Sequence, residues 1–250
     1  GGFIGSHLVE ELLRRGLNVR VLDSFLKHAH KDGLPRLDGS SADVIIGDVC
    51  DAGAVDDALH EIEVVYHLAA EVGVGQSMYE IDRYVSANTR GTAVLLEGLA
   101  PYRAQFKKLI VASSMSVYGD GAYDRNGVSI PTPESKPLKP ASVYAITKQD
   151  QEQLCLTVGR SWGLPTIALR YFNVYGAGQS LANPYTGVAA IFAAALLAGK
   201  SPIVYDDGNQ TRDFVHVSDI VRANVLALEM ESAKDYAINI GTGQATSIKE

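Results

Sequence analysis

The chain has little of what would tie it to a metal, a disulfide framework, a nucleic acid or a membrane. Its two cysteines, Cys50 and Cys155, lie far apart in 250 residues and lack metal-type spacing. They read as reduced thiols of a cytosolic protein, and no metal site is expected. Basic residues are in deficit: 22 Lys and Arg stand against 29 Asp and Glu, a formal net charge of −7. No basic patch speaks for nucleic acid. The longest uninterrupted apolar run, Val188 to Ala198, falls well short of the roughly 20 residues of a membrane-spanning helix. The opening Gly1-Gly2-Phe3-Ile4-Gly5 lacks the charged segment that begins a signal peptide. Internal repeats and low-complexity tracts are missing too.

What is present is an ordinary globular mixture, 46% hydrophobic and 20% charged, long enough for one large domain or two small ones. Both ends look cut. No initiator methionine precedes Gly1, residue 1 falls inside a motif, and Ile248-Lys249-Glu250 looks like the opening of a helix. The sequence reads as a fragment lacking its first strand and some C-terminal structure.

The stretch Tyr144-Ala145-Ile146-Thr147-Lys148 organises the rest. A tyrosine and a lysine four apart lie one turn apart on one face of a helix. A free tyrosine keeps its proton until a pH of about 10. A fixed ammonium beside it favours the phenolate, which makes the pair a usable base near neutrality. Ser113 and Ser114 close the apolar run Leu109-Ile110-Val111-Ala112, which reads as a buried strand. Hydroxyls at such a strand end can help hold a reacting oxygen. Taken alone, the same spacing also describes a surface tyrosine and a solvated lysine.

From the start of the chain, Gly2 and Gly5 open an amphipathic helix over 6–15, with Leu8, Leu12 and Leu13 as its buried stripe. Glycines there let backbone approach a pyrophosphate at the helix N-terminus, or simply form a turn. A strand over 18–22 ends at Asp23, the acidic residue placed to hold ribose hydroxyls and to repel a 2′-phosphate; a turn or cap is the bland reading. A polar loop covers 27–41. Another strand over 44–47 leads to Asp48 and Val49 and a helix over about 51–61, with Asp48 either at the adenine or capping that helix. The next strand, 64–70, ends in small residues that leave room for a cofactor to cross, and His67 within it reads as a core histidine. A glycine-bearing loop over 71–79 precedes a long helix over 81–100 that carries Asn88.

The strand over 108–113 is followed by a long loop with prolines at 131, 133, 137 and 140, which keep it irregular. The helix that carries Tyr144 runs over about 141–162, and a strand over 166–169 follows. Alternating short strands and helices to residue 170 predict a parallel, doubly wound α/β sheet. After that the rhythm breaks: an apolar helix over 188–199, short strands over 203–205 and 214–217, a helix over 218–230 and a strand over 237–240. We expect a Rossmann domain over 1–172, rejoined by about 213–240, and the start of a smaller, interleaved C-terminal substrate domain over 173–250.

Read in order, Gly2-Phe3-Ile4-Gly5-Ser6-His7, Asp23, Asp48, His67-Leu68-Ala69-Ala70, Asn88-Thr89-Arg90-Gly91-Thr92, Ser113-Ser114-Met115-Ser116-Val117-Tyr118-Gly119, Tyr144 with Lys148, Arg170-Tyr171-Phe172-Asn173-Val174-Tyr175-Gly176 and Arg212-Asp213-Phe214-Val215-His216-Val217 resemble the extended short-chain dehydrogenase/reductases that act as NAD-dependent nucleotide-sugar epimerases and dehydratases. The resemblance covers nearly the whole chain. Within the family the chain looks most like the 4-epimerases: Val72 to Tyr79 and Asn183-Pro184-Tyr185-Thr186-Gly187 look similar to stretches of the dTDP-L-rhamnose 4-epimerases, of which the UDP-glucose 4-epimerases are relatives. It implies that Tyr144 is the base, that Lys148 holds the nicotinamide ribose and lowers the tyrosine pKa, and that Ser114 rather than Ser113 binds the sugar hydroxyl. It implies NAD contacts at Gly2, Phe3, Ile4, Gly5, Asp23, Asp48, Val49, Leu68, Ala69, Ala70 and Asn88. Asn173 and Arg212 would take the substrate diphosphate, the planar guanidinium suiting phosphate oxygens.

The implied reaction is a 4-epimerisation of a nucleotide-diphosphate sugar through a transient keto sugar, in a cytoplasmic homodimer. Apolar area for that dimer would come from Val85, Val94, Leu95, Leu154 and Val158, some of which must face the sheet. The rivals are a 4,6-dehydratase or decarboxylase of the same fold, an NADPH-dependent keto-sugar reductase, and a silent dinucleotide-sensing module. Met115 and Ser116 stand where dehydratases of the family carry carboxylates, and Asp23 argues against NADPH.

Overall fold

The computed structural model describes residues 1–26, 37, 39–180, 187–231 and 235–249. Most of the polar loop expected over 27–41, and Asn183 to Thr186, lie outside the described residues. Within them, helix α1 (Phe3–Arg14) is followed by strand β1 (Arg20–Asp23), β2 (Asp43–Ile46), α2 (Ala52–Leu59) and β3 (Val64–His67). A single turn, α3 (Val74–Ser77), leads to a composite helix made of α4 (Ile81–Tyr84), a wide π turn (Val85–Arg90) and α5 (Gly91–Leu99). Then come β4 (Lys108–Ser114), a 3₁₀ turn (Met115–Tyr118), the strands β5 (Ala122–Tyr123) and β6 (Ser129–Ile130), and α6 (Val143–Trp162). The chain continues through β7 (Thr166–Tyr171), β8 (Asn173–Tyr175), α7 (Val188–Leu197), β9 (Thr211–Arg212), β10 (Phe214–His216), α8 (Val217–Glu229), β11 (Tyr236–Ile240) and β12 (Thr246–Ser247).

The main sheet is parallel, in the order β11-β7-β4-β3, and β1 and β2 form a separate parallel pair. β4 and β7 are buried along their whole length, as central parallel strands covered on both faces must be. Side chains alternate across β4. Leu109 and Val111 pack with Val55, Leu95, Leu99, Cys155 and Leu156, beneath α2, α5 and α6. Ile110 and Ala112 face the other way, toward Ile167, Leu169, Val215 and Ile220. On that side α1 sets Leu8 and Leu12 against Val221 and Val225 of α8. The result is a Rossmann-like α/β fold in three layers, with helices on both faces of the sheet.

Several boundaries moved from expectation. β4 reaches Ser114 and β7 reaches Tyr171, in register with each other. β3 stops at His67, and two residues further on the Ala69 carbonyl accepts from Gln151 Nε2. Residues 203–205 form no strand: beside Pro202 they find no edge to pair with, and Ile203 and Tyr205 stay largely exposed. The antiparallel pairing in this region is β9 with β12. β11 does return to the sheet, pairing with β7 from Tyr236↔Ile167 to Ile240↔Tyr171. The irregular proline stretch begins only after β5 and β6 have paired.

Candidate functional site

Two elements bring the reactive groups together at the C-terminal end of the sheet. β4 ends at Ser114, whose Oγ accepts from Ser116 N at 3.2 Å and so starts the following turn. α6 begins where Ser142 caps it, with Oγ accepting from Ala145 N at 3.1 Å. That cap fixes the helical phase, so Tyr144 and Lys148 lie one turn apart on the side of the strand end. The Tyr144 phenol comes near the Ser114 hydroxyl, and its ring stands edge-on to Tyr84 at a centroid distance of 6.4 Å. Burial pushes the Tyr144 phenol above its ordinary range, and the nearby Ser114 hydroxyl pulls it part of the way back. Lys148 is only 3% exposed, and its Nζ donates to Gln151 Oε1 at 2.6 Å.

The expected lowering of the tyrosine pKa by Lys148 is not in place. The phenol moves up, not down. Burial also drags the Lys148 ammonium down to about 8. Both shifts have one cause: a buried site disfavours the charged form of each group.

A cleft of about 1700 Å³ joins these groups to the start of the chain. Its residues fall into two groups. One is apolar and includes Leu8, Leu12, Val21, Val64 and Val65. The other lies over the strand ends and contains Gly2, Phe3, Ile4, Gly5, Asp23, Asp48, Val49, Leu68, Ala69, Ala70, Ser114, Tyr144, Lys148 and Asn173. At α1 the first helical bond runs from Ser6 N to the Gly2 carbonyl. Gly2 offers no side-chain cap, and no acidic residue stands in the first turn. The N–H groups of Phe3, Ile4 and Gly5 therefore lack helical partners and suit an anion. A Cβ built on Gly2 or Gly5 would meet nothing within 4 Å, so this backbone borders open space. Asp23 stands close by: its Oδ1 accepts from Phe25 N at 2.8 Å, and a Cβ on Gly1 would come within 3.3 Å of its Oδ2. A Cβ on Gly91 would lie 2.5 Å from Val49 Cγ1, so only glycine lets the long helix hold Val49 at the cleft.

A model of the NAD dependent epimerase/dehydratase family matches residues 1–241. The chain belongs to this family. It is 35% identical to dTDP-L-rhamnose 4-epimerase of Burkholderia thailandensis, over 99% of this chain and 76% of that protein. It is 37% identical to UDP-N-acetyl-alpha-D-glucosaminuronate decarboxylase of Bacillus cytotoxicus, over the whole chain and 75% of that protein. Among solved structures, UDP-glucose 4-epimerase of Thermotoga maritima with UDP-glucose superposes with a TM-score of 0.87 at 36% identity, over 99% of this chain and 76% of that one. The family is NAD-dependent, and the cleft fits a dinucleotide: anion-binding backbone at α1, a carboxylate at Asp23, and a floor of small residues at Ala69 and Ala70.

Two of the residues singled out in the sequence do not reach the cleft. Asn88 is fully buried, with Oδ1 accepting from Glu71 N at 2.7 Å and Nδ2 donating to the Glu71 carbonyl and to Thr147 Oγ1. It clamps the loop after β3 to α6, and the π turn carries it there. Arg212 is exposed in β9, and Nη1 donates to the neighbouring Thr211 carbonyl. Asp48 does not cap α2. Its carboxylate accepts from Cys50 N, and Asp51 caps the helix through Gly53 N and Ala54 N.

Sequence reading missed three contributors. Ser116 Oγ is buried in the cleft and finds no partner among the described residues. Gln151 and Glu152 follow Lys148 by one turn on the same face, a spacing that could have flagged them. Glu152 pairs with Arg170 through Nε at 2.9 Å and Nη2 at 2.5 Å, and also accepts from Ser113 Oγ at 2.7 Å.

Proposed function

We propose that this protein is a nucleotide-sugar 4-epimerase that uses NAD. The observation that supports it most is the meeting of Ser114 at the end of β4 with Tyr144, with Lys148 one turn on, in the same cleft as the glycine-opened helix and Asp23. Ser114 and the Tyr144 phenolate hold one oxygen of the sugar, and Tyr144 takes its proton. Positive charge brought into the cleft favours that phenolate. NAD, when bound, supplies a reversible acceptor for the hydride on the same carbon. The keto sugar stays tethered through its diphosphate, near Asn173. After it turns over, Tyr144 returns the proton, and the carbon is inverted. Lys148 faces the ribose, and Gly2 to Gly5 with Asp23, Asp48 and Val49 seat the rest of the dinucleotide. Met115 and Ser116 carry no carboxylate for an elimination, whereas the Ser116 hydroxyl can take a hydrogen bond from the sugar.

Substrate deuterated at the reacting carbon tests the reading. The label should return to that carbon in the inverted product, without net NADH. Loss of water would establish a dehydratase, and stoichiometric use of NADPH a reductase. NAD binding with no turnover on any nucleotide sugar would leave a sensing module. Loss of carbon dioxide from a uronic-acid sugar would establish the decarboxylase reading, which the Bacillus cytotoxicus relative favours.

We also place the cofactor domain at 1–172 with 213–240, and the start of the substrate domain over 173–250. We propose a cytoplasmic homodimer. Leu95 turns into the core, and Val94, Leu154 and Val158 pack against it, so the pairing face falls to exposed Val85 and Ile146. Light scattering on the full-length chain tests the assembly, and a monomer mass at micromolar concentration would overturn it.

A further inference from the structure

The groups that fix Lys148 form a buried chain that the reaction as described does not use. Lys148 Nζ donates to Gln151 Oε1, and Gln151 Nε2 faces His67 Nε2 at 3.1 Å and the Ala69 carbonyl at 3.3 Å. His67 Nε2 also lies 2.8 Å from Thr92 Oγ1, which itself lies 2.6 Å from the Asn88 carbonyl. Gln151 and Thr92 are fully buried, and His67 is 3% exposed.

Hydrogen-bond chemistry fixes the Lys148 end of this chain and sets two contacts against each other at His67, where the Gln151 NH₂ can only donate while the Thr92 hydroxyl already donates to the Asn88 carbonyl. An ammonium can only donate, so the Gln151 oxygen must face Lys148 and its NH₂ must face His67. The Gln151 contact makes His67 Nε2 an acceptor with the ring proton on Nδ1, and the single Thr92 hydrogen is then shared between Nε2 and the Asn88 carbonyl. A protonated His67 would oppose N–H to N–H and force the amide to flip, turning its NH₂ toward the ammonium. One amide thus holds the ammonium and, through Ala69, the floor of the cleft at the end of β3. A long, flexible lysine side chain loses its rotamer freedom before any ligand arrives.

We propose that Gln151 is a positioning residue for Lys148, kept in register by neutral His67, so that the ammonium and the Leu68–Ala70 floor meet the cofactor as one preorganised unit. This rests on the roles given to Tyr144 and Lys148 above. The ionisable groups acting on Lys148 are Glu152 and Cys155 from its own helix and His67 from β3.

Three measurements on the full-length protein test it. Gln151→Leu keeps the volume and removes both bonds. It should weaken NAD binding and lower kcat by about a hundredfold, the scale of a catalytic group misplaced by an ångström. Gln151→Glu keeps an oxygen toward Lys148 and lets His67 switch tautomer and donate. Its kcat should stay within the order of magnitude of the unchanged protein, with NAD affinity retained. Nitrogen-15 histidine spectra of the cofactor-free protein should show His67 neutral with its proton on Nδ1, moving to Nε2 in the Glu variant. A folded Leu variant with unchanged kcat and NAD affinity, or a His67 protonated on Nε2 in the unchanged protein, would overturn the proposal. If the Leu variant does not fold, the Glu variant and the spectra decide. Failure of the unchanged protein to bind NAD would strike the reading of the site itself, and the tautomer result would still stand or fall alone.

Discussion

The end of β4 and the β9–β12 region are both supposed to touch substrate, yet they are built differently. At β4, each reactive group is backed by the core: Tyr144 by the Tyr84 ring, Lys148 by Gln151, and α6 by the Glu152–Arg170 pair. At β9, a two-residue ladder holds an exposed arginine whose hydrogen bond goes to its neighbour's carbonyl. Chemistry that moves a proton needs groups held to fractions of an ångström, and such precision comes from packed, hydrogen-bonded surroundings. Recognition of a diphosphate tolerates a mobile, solvated guanidinium that closes on its ligand. On the roles proposed for them, the contrast is between a preformed catalytic end and a recognition end whose fit depends on the ligand.

The largest expected effect breaks the preformed end chemically. Tyr144→Phe keeps the ring against Tyr84 and removes the only proposed proton acceptor. Its kcat should fall about 10²- to 10⁴-fold, the usual range for a lost general acid–base. NAD affinity, read by titration, should be nearly unchanged. Wild-type turnover would remove Tyr144 from the mechanism.

Next comes the support beneath it. Glu152 is fully buried and Arg170 is 5% exposed. Glu152→Ala strands the buried guanidinium and the Ser113 hydroxyl, and should cost about 3–5 kcal/mol in chemical denaturation. Lys107 and Glu63 make an ion pair of similar length, 2.5 Å, with both side chains about two-thirds exposed. Breaking that one should cost under about 1 kcal/mol. Equal losses from the two substitutions would erase the distinction between interior and rim.

A smaller effect concerns pH. Burial lowers His67 from its ordinary 6.5 to about 3. Between those values the unfolded chain binds a proton that the folded chain refuses, so this residue's contribution to stability is constant above about 6.5 and falls as the pH drops toward 3. Against a His67→Asn variant, in which the carboxylates titrate alike, the unchanged protein should lose melting temperature more steeply below pH 6.5. Parallel curves would show that His67 titrates as a solvated histidine.

The preformed end is also the part the sequence announced. Burial on both faces writes β4 and β7 as continuous apolar runs. The Tyr144–Lys148 spacing is one helical turn, and Gly2 with Gly5 marks a helix start that anions can approach. Each of these is local, and local patterns survive in one dimension. Asn88 looked like a cofactor contact because it sits in a motif. Only the π turn, which aims it at Glu71 and Thr147, shows it to be a clamp. The bond of Gln151 to Lys148 spans one turn and was legible, whereas its bonds to His67 and Ala69, more than 80 residues away, were not. Ile203 to Tyr205 read as a strand on composition, and strands need an edge to pair with, which no window of sequence reports.

The smallest expected effect sharpens the comparison most. Among the described residues, Arg212 serves the fold through its backbone pairing with Thr246 in β12 and its bond to the Thr211 carbonyl. The adjacent Asp213 is already committed, accepting from Thr242 N, Thr242 Oγ1 and Gly243 N. Arg212→Ala should therefore change stability by less than about 0.5 kcal/mol, as exposed substitutions do. Any functional loss then reports a ligand contact rather than damage to the fold. If the guanidinium closes on a diphosphate, KM for the nucleotide sugar should rise while kcat at saturation and NAD affinity stay put, the pattern of binding lost equally in ground and transition states. Arg212→Lys should recover only part of the loss, because an ammonium cannot reproduce the fork. An unchanged KM in the Ala variant would place Arg212 outside the substrate site and leave Asn173, already in the cleft, as the polar group nearest the diphosphate.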